Sequence, residues 1–321
     1  MANFIDIKSK YRPEIDGLKA FAISCVIINH FNKTILPSGF LGVDIFFVIS
    51  GFVITSSLCG KSSKNFKEFI CNFYIRRIIR ILPALLIFVI LMSFFICLFN
   101  PDPNLSLRTG LFSIFGISNI FLYIKATDYF AQTSDLNIFT HTWSLGVEGQ
   151  FYLIFPLIIW FSGFAKKNNS TKKFFLIMFL LTFISLFIFF NFYSINQSAA
   201  YFLMPPRFWE IASGSMLFIG IQNKNYILKK LENICPLIIF IFMILVMFIP
   251  ITKAKYSIIF IVFLTGILIN SLKEETFLFR IFTKKEIIYF GLISYSLYLW
   301  HWGILAISRW TVGVHLWTIP F

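Results

Sequence analysis

Apolar runs of near-membrane length alternate with short, polar, basic segments along almost the whole chain. The pattern predicts helices over 18–34, 40–57, 81–99, 143–162, 174–193, 208–222, 234–250, 256–271 and 287–308. About 20 apolar residues suffice for a perpendicular crossing, and these runs reach or approach that length. A further apolar stretch, 110–124, is short and dotted with Gly, Ser and Asn, and reads as a short span or as a re-entrant or interfacial helix. The basic residues arbitrate. With the N-terminus cytoplasmic and 110–124 not crossing, the inner segments 1–19, 58–80, 163–173, 223–233 and 272–286 hold 21 of the 28 Lys and Arg. A crossing at 110–124 would place Lys166, Lys167, Lys172, Lys173, Lys273, Arg280, Lys284 and Lys285 outside, against the positive-inside bias. The expectation is an all-α polytopic membrane protein, a bundle of about nine to ten transmembrane helices. Residues 1–321 form one membrane-embedded domain in this reading. Nine crossings leave the C-terminus outside, and the stop at WTIPF reads as a truncation that lacks a last helix.

Composition narrows the class. The chain is 58% hydrophobic and only 13% Asp, Glu, Lys and Arg, against about 25% charged residues in soluble domains, and its mean hydropathy is +0.81. A net charge of +14 in a soluble protein would raise nucleic acid as a partner. Here the basic residues lie between apolar runs, where they act as topology signals. The 44 Phe are read as lipid-facing bulk and compositional bias. Cys25, Cys59, Cys71, Cys97 and Cys235 have no CxxC or metal-ligand spacing and read as small hydrophobes. The first run ends in HFNK without a small-x-small cleavage site, so it reads as a retained helix. AKKNNSTKK (165–173) is a polar connector. No internal repeat, glycine-rich phosphate loop, HExxH or nucleophile elbow occurs, and neither a metal nor a Ser or Cys nucleophile is indicated.

Ionisable residues inside apolar runs carry the chemistry, because charge in hydrocarbon is costly and defaults to a functional reading. Lys19 and His30 are eleven positions apart, which on a helix means about 20° of offset and about 16 Å along the axis. Lys19 either snorkels to headgroups or serves a ligand. His30 is the usual proton-transfer group near neutral pH. Asp44 either caps the second helix or orients that imidazole. Arg76, Arg77 and Arg80 sit at the predicted start of the third span, where Pro83 suits a first turn. Arginines there oppose the helix dipole, so topology or an anionic ligand explains them. Arg77 and Arg80 share a face and suit bidentate phosphate binding. In HTWSLGVEGQFY (141–152), Glu148 and Gln150 are polar groups within a span, and His30 is the expected partner of Glu148. Trp143 and Tyr152 read as interface-belt aromatics. Arg207 and Glu210 are three apart and read as neutralising each other. Ser294, Tyr298 and His301 form a polar strip that suits a cavity wall, and His315 is given no role.

Six blocks then carry a resemblance: YRPEIDGLKAFAISCVIINH, GFLGVDIFFVISGFVIT, FYIRRIIRILPAL, HTWSLGVEGQFYLIFPL, PRFWEIASG and ISYSLYLWHW. In this order, over nearly the whole chain, they resemble the acyltransferase-3 family of bacterial membrane O-acyltransferases, which O-acetylate lipopolysaccharide O-antigen and other surface glycans. The resemblance implies about ten spans and transfer of an acyl group, usually acetyl from cytoplasmic acetyl-CoA, to a sugar hydroxyl at the periplasmic face of the inner membrane. The partners implied are acyl-CoA, a surface or lipid-linked glycan and the bilayer; no cofactor is permanently bound. The family's basic-x10-His motif falls on Lys19 and His30, with Lys where Arg is common. Its Arg-x-x-Arg motif falls on Arg77 and Arg80 at the acyl-CoA end, and its acids fall on Glu148 and Asp44. The expected assignment is therefore His30, Glu148 and Asp44 as catalytic and Lys19, Arg76, Arg77 and Arg80 as donor-binding. Trp143, Ser144, Arg207, Glu210, Tyr298 and His301 are the substrate-side candidates. His30 acts as general base or transient acyl carrier, with Glu148 and Asp44 orienting it. Two features of the family, a last span with an ERP-like motif and an SGNH domain, are not in the sequence. The rival readings are a transporter or flippase, which also needs intramembrane His, Asp and Glu, and an inactive truncated relative.

Overall fold

The computed structural model describes residues 11–59, 65–125, 135–164, 171–223 and 225–314, and every regular element among them is a helix. α1 (Pro13–Phe31) and α2 (Gly42–Leu58) come first, followed by α3 (Phe66–Phe99), α4 (Asn104–Ile114), α5 (Ser118–Ile124) and α6 (Trp143–Ser162). α7 (Thr171–Ile195) leads through α8 (Gln197–Phe202) into α9 (Met204–Gln222). α10 (Tyr226–Leu231), α11 (Pro236–Met247), α12 (Ala254–Ser271), α13 (Phe277–Phe282), α14 (Lys285–Leu292) and α15 (Ser294–Trp310) complete the set. Residues 165–170 of the polar connector, the WTIPF end and His315 lie outside the described residues.

The all-α expectation stands, but the expected nine to ten transmembrane helices do not. Among the described residues, 5 helices are long and apolar enough to cross a membrane, or up to 6 if the bent pair α14–α15 is one span. The shortfall has identifiable causes. α1 carries Glu14, Asp16, Lys19, Asn29 and His30, and α9 carries Arg207, Glu210 and several small polar residues. α11 has 12 residues, about 18 Å of helix, short of the roughly 30 Å hydrocarbon core. The predicted 287–308 helix is broken at Ile293, where α14 and α15 meet at 65°. The 110–124 stretch is likewise split between α4 and α5, with Gly116 at φ 69° in the connection.

The third predicted span also starts earlier than expected. α3 has 34 residues, and its N-cap Asn65 accepts a hydrogen bond from the Lys67 amide. Pro83 is therefore inside the helix and not in its first turn, and the arginines are well clear of the N-terminal dipole. Counted from Phe66, Arg77 and Arg80 stand about 16 and 21 Å along α3.

Packing sorts the helices by burial. α9 lies against α2 and α7, and α1 against α2, α14 and α15. At the α2–α9 crossing, Gly51 faces the Ile211 carbonyl and Gly214 faces the Val48 carbonyl, so a Cβ at either position would run into the partner's backbone. The apolar window of α2 is 72% buried and that of α7 only 22%, which makes α2 a central helix and α7 a peripheral one. Phe179, Phe183 and Phe187 on α7 are exposed, as lipid-facing bulk should be. A second apolar core, built from Leu85, Phe88, Met92, Leu299 and Trp302 among others, fixes α3 against α15.

Candidate functional site

α1 presents Lys19 and His30 at opposite ends, and each belongs to a different polar centre. At the Lys19 end, α1, α2, α3, α6 and α15 line a partly open cavity of about 110 Å³. Its polar lining includes Lys19, Arg77, Arg80, Ser50, Glu148 and Tyr298; Phe46, Phe47 and Ile49 contribute apolar wall. Lys19 Nζ sits 2.8 Å from Asp16 Oδ1. Tyr11 donates its hydroxyl to Asp16 Oδ2 at 2.6 Å, and this bond, with some burial and the nearby carboxylates, pushes its pKa up to about 12. Ser50 donates to Glu148, and the Arg77 guanidinium lies 5.4 Å from the Tyr152 ring centre. Lys19, Arg77 and Arg80 thus surround a hollow whose walls hold one carboxylate, Glu148.

At the other end, His30 Nδ1 is 2.9 Å from His301 Nε2, with the two ring planes within 4° of parallel. His301 Nδ1 lies 3.0 Å from the Leu297 carbonyl oxygen one turn back on α15. Trp302 packs edge-on against His30 at 4.5 Å. Arg309 donates to the His30 carbonyl at 2.6 Å, and Lys33 pairs with Asp135 at 3.0 Å. His30, Lys33 and Asp135 share a narrow hollow with Asn29, Phe40, Ile251 and Trp302. Tyr298 connects the two centres. It lines the larger cavity, lies 2.7 Å from Ser144 Oγ, donates to the His141 carbonyl at 2.8 Å, and its ring is 5.6 Å from that of His301.

The structure rearranges the expected partnerships. Glu148 does not support His30: it bonds Ser50 in the cavity with the arginines. Asp44 does not support His30 either. Arg207 Nη1 donates to Asp44 Oδ1 and to Glu210 Oε1, each at 2.7 Å, with all three side chains at most 3% exposed. The expected Arg207–Glu210 neutralisation is therefore present but includes Asp44. Trp143 belongs to this cluster, 5.5 Å under the Arg207 guanidinium and 1% exposed, so it is not an interface-belt residue. Tyr152 is buried as well, and lines the cavity. Ser144 and Tyr298 line the cavity, His301 meets His30, and Arg76 is exposed on α3 outside the cavity wall. Ser50, Tyr295 and His141 were not singled out from the sequence. The motif block HTWSLGVE pointed at His141, whose ring stands 5.8 Å from that of His301.

A model of an acyltransferase domain matches residues 12–321. The chain belongs to the acyltransferase-3 family. Two putative O-acetyltransferases of Staphylococcus aureus, from strains MSSA476 and MRSA252, are each 33% identical over 316 residues, covering 93% of this chain and 51% of the relative. The O-acetyltransferase OatA of strain NCTC 8325 is 33% identical over 309 residues, covering 92% of this chain and 51% of its own length. The chain thus spans about half the length of the curated relatives it matches. No solved structure matches it. In this acyltransferase-3 chain, the sequence blocks that carry the resemblance converge on the cavity, the imidazole pair and the buried Arg207 cluster.

Proposed function

We propose that this chain is a membrane O-acyltransferase that moves an acyl group, acetyl in the first instance, from acetyl-CoA to a hydroxyl of lipopolysaccharide O-antigen or another cell-surface glycan. The observation that carries this reading is the cavity in which Lys19, Arg77 and Arg80 outnumber the lining carboxylate Glu148. An excess of cations beside apolar walls suits a donor with phosphates at one end and a short acyl thioester at the other. In this reading the N-terminus is cytoplasmic, the CoA phosphates are held at the Lys19 end, and the thioester points along α1 toward His30.

His30 takes the proton of the acceptor hydroxyl, the oxygen attacks the thioester carbonyl, and the C–S bond breaks with CoA leaving as the thiolate. Glu148 serves the donor end: it fixes Ser50 and balances part of the arginine charge. Asp44 acts at a distance, by holding Arg207 where α2 meets α9. Positioned general-base transfer contributes about 10²–10⁴-fold. His30→Ala should lower incorporation of radiolabelled acetyl-CoA into base-labile glycan ester by that factor, with the protein still in the membrane fraction. Full activity of that variant overturns the assignment.

A further inference from the structure

The imidazole pair carries more information than the position of the base, because it fixes where the base keeps its proton. A carbonyl oxygen can only accept a hydrogen bond. His301 Nδ1, 3.0 Å from the Leu297 carbonyl, is therefore the protonated nitrogen of that ring. In a neutral imidazole the other nitrogen then holds the lone pair. His301 Nε2 is thus an acceptor, and the atom 2.9 Å from it, His30 Nδ1, must be the donor. The remaining nitrogen of His30, Nε2, is left with the lone pair. Near-parallel ring planes, 4° apart, suit this N–H···N geometry. Both rings are at most 3% exposed, and Trp302 against His30 and Tyr298 beside His301 hold them in place.

We infer that His301 is the positioning residue of the reaction: through the Leu297 carbonyl it selects the Nδ1–H tautomer of His30 and so presents His30 Nε2 as the base. The inference rests on the general-base reading of His30. When His30 Nε2 takes the hydroxyl proton, the ring becomes an imidazolium whose Nδ1–H still points at His301 Nε2. The hydrogen bond becomes charge-assisted and therefore stronger in the state that forms during transfer. A carboxylate performs this service in the Ser-His-Asp arrangement. Here both candidate carboxylates are engaged elsewhere, Asp44 with Arg207 and Glu148 with Ser50, and a second histidine takes the position.

The test uses the full chain in lipid, with isotope-labelled histidine and ring-nitrogen NMR, the His30 signals being assigned by their loss in His30→Ala. The expected wild-type state has His30 Nδ1 protonated and Nε2 unprotonated. His301→Ala should release the ring to a mixture of tautomers and slow acetyl transfer from radiolabelled acetyl-CoA by about 10–100-fold in kcat, with KM for acetyl-CoA unchanged. His301→Gln, whose amide oxygen can accept from Nδ1–H, should restore both the tautomer and most of the rate. A wild-type His30 carrying its proton on Nε2 overturns the inference, as does an unchanged tautomer in His301→Ala. The two readings fail separately. Activity in His30→Ala removes the general base; an inactive His30→Ala beside a fully active His301→Ala removes only the role of His301.

Discussion

Two clusters of arginine and carboxylate lie in this bundle, and in sequence they look alike. In the first, Arg207 meets Asp44 and Glu210 at 2.7 Å, walled by Trp143 and Tyr201, with the guanidinium 1% exposed. In the second, Lys19, Arg77 and Arg80 share a cavity wall with Glu148. The first joins one cation to two carboxylates, all of them buried. The second has more cation than anion and surrounds a hollow. Charge that is buried and ion-paired within the protein holds helices together; cations in excess around a partly open hollow, with Arg80 exposed and Lys19 and Arg77 half-buried, suit a ligand of opposite sign. The difference lies in stoichiometry and burial, which side-chain identity alone does not disclose.

The largest effect expected from this comparison is on the buried Arg207 cluster. Arg207→Leu leaves two buried carboxylates without their cation, and removal of one partner from a buried pair costs about 3–5 kcal/mol. The variant should fail to accumulate in the membrane, or should lose its sharp thermal transition in detergent. Glu210→Gln keeps the shape and leaves one guanidinium with one carboxylate, so it should accumulate normally. Equal loss in both variants would mean that packing, and not the guanidinium's neutralisation of buried carboxylate, holds α2 to α9.

The excess cluster should respond in the opposite manner. Arg77→Ala removes a cation that faces the hollow, so the protein should fold and reach the membrane. A hydrogen bond to a charged group contributes about 1.5–3 kcal/mol, so KM for acetyl-CoA should rise about 10–100-fold. Arg76→Ala, on the exposed side of α3, is the matched control and should leave KM unchanged. A rise with Arg76→Ala equal to that with Arg77→Ala would show that general positive charge, and not the cavity wall, draws the donor.

Much of this was legible in the chain. The apolar run 143–162 coincides with α6, and Lys19 and His30 do share α1 at two depths. The number of crossings was not legible, because α1 and α9 are apolar enough to resemble spans while their polar residues make them protein-buried helices. The partner of Glu148 was misjudged for a related reason. The predicted start of the third span at residue 81 placed Arg77 and Arg80 at the membrane edge. The observed start at Phe66 carries them up the helix to the level of Glu148. His301 was noted as a cavity candidate, but its pairing with His30 joins residues 271 positions apart, a contact that neither periodicity nor spacing encodes.

The two clusters also differ in burial, and an exposed ion pair isolates that effect. Lys273 Nζ lies 3.2 Å from Glu232 Oε1, with the two side chains 46% and 38% exposed. Its geometry is close to that of the Arg207 pairs, but water solvates both partners whether or not they meet, and two long side chains lose freedom when they do. Exposed pairs of this kind contribute about 0–1 kcal/mol. Lys273→Ala should therefore shift the thermal midpoint only slightly, leave KM for acetyl-CoA unchanged, and lose even that small shift in high salt, where surface charges are screened. If Lys273→Ala instead destabilises the protein as strongly as Arg207→Leu, desolvation cannot be what distinguishes the buried Arg207 cluster. The contrast between the two arginine centres would then have to rest on packing around Trp143 and Tyr201 alone.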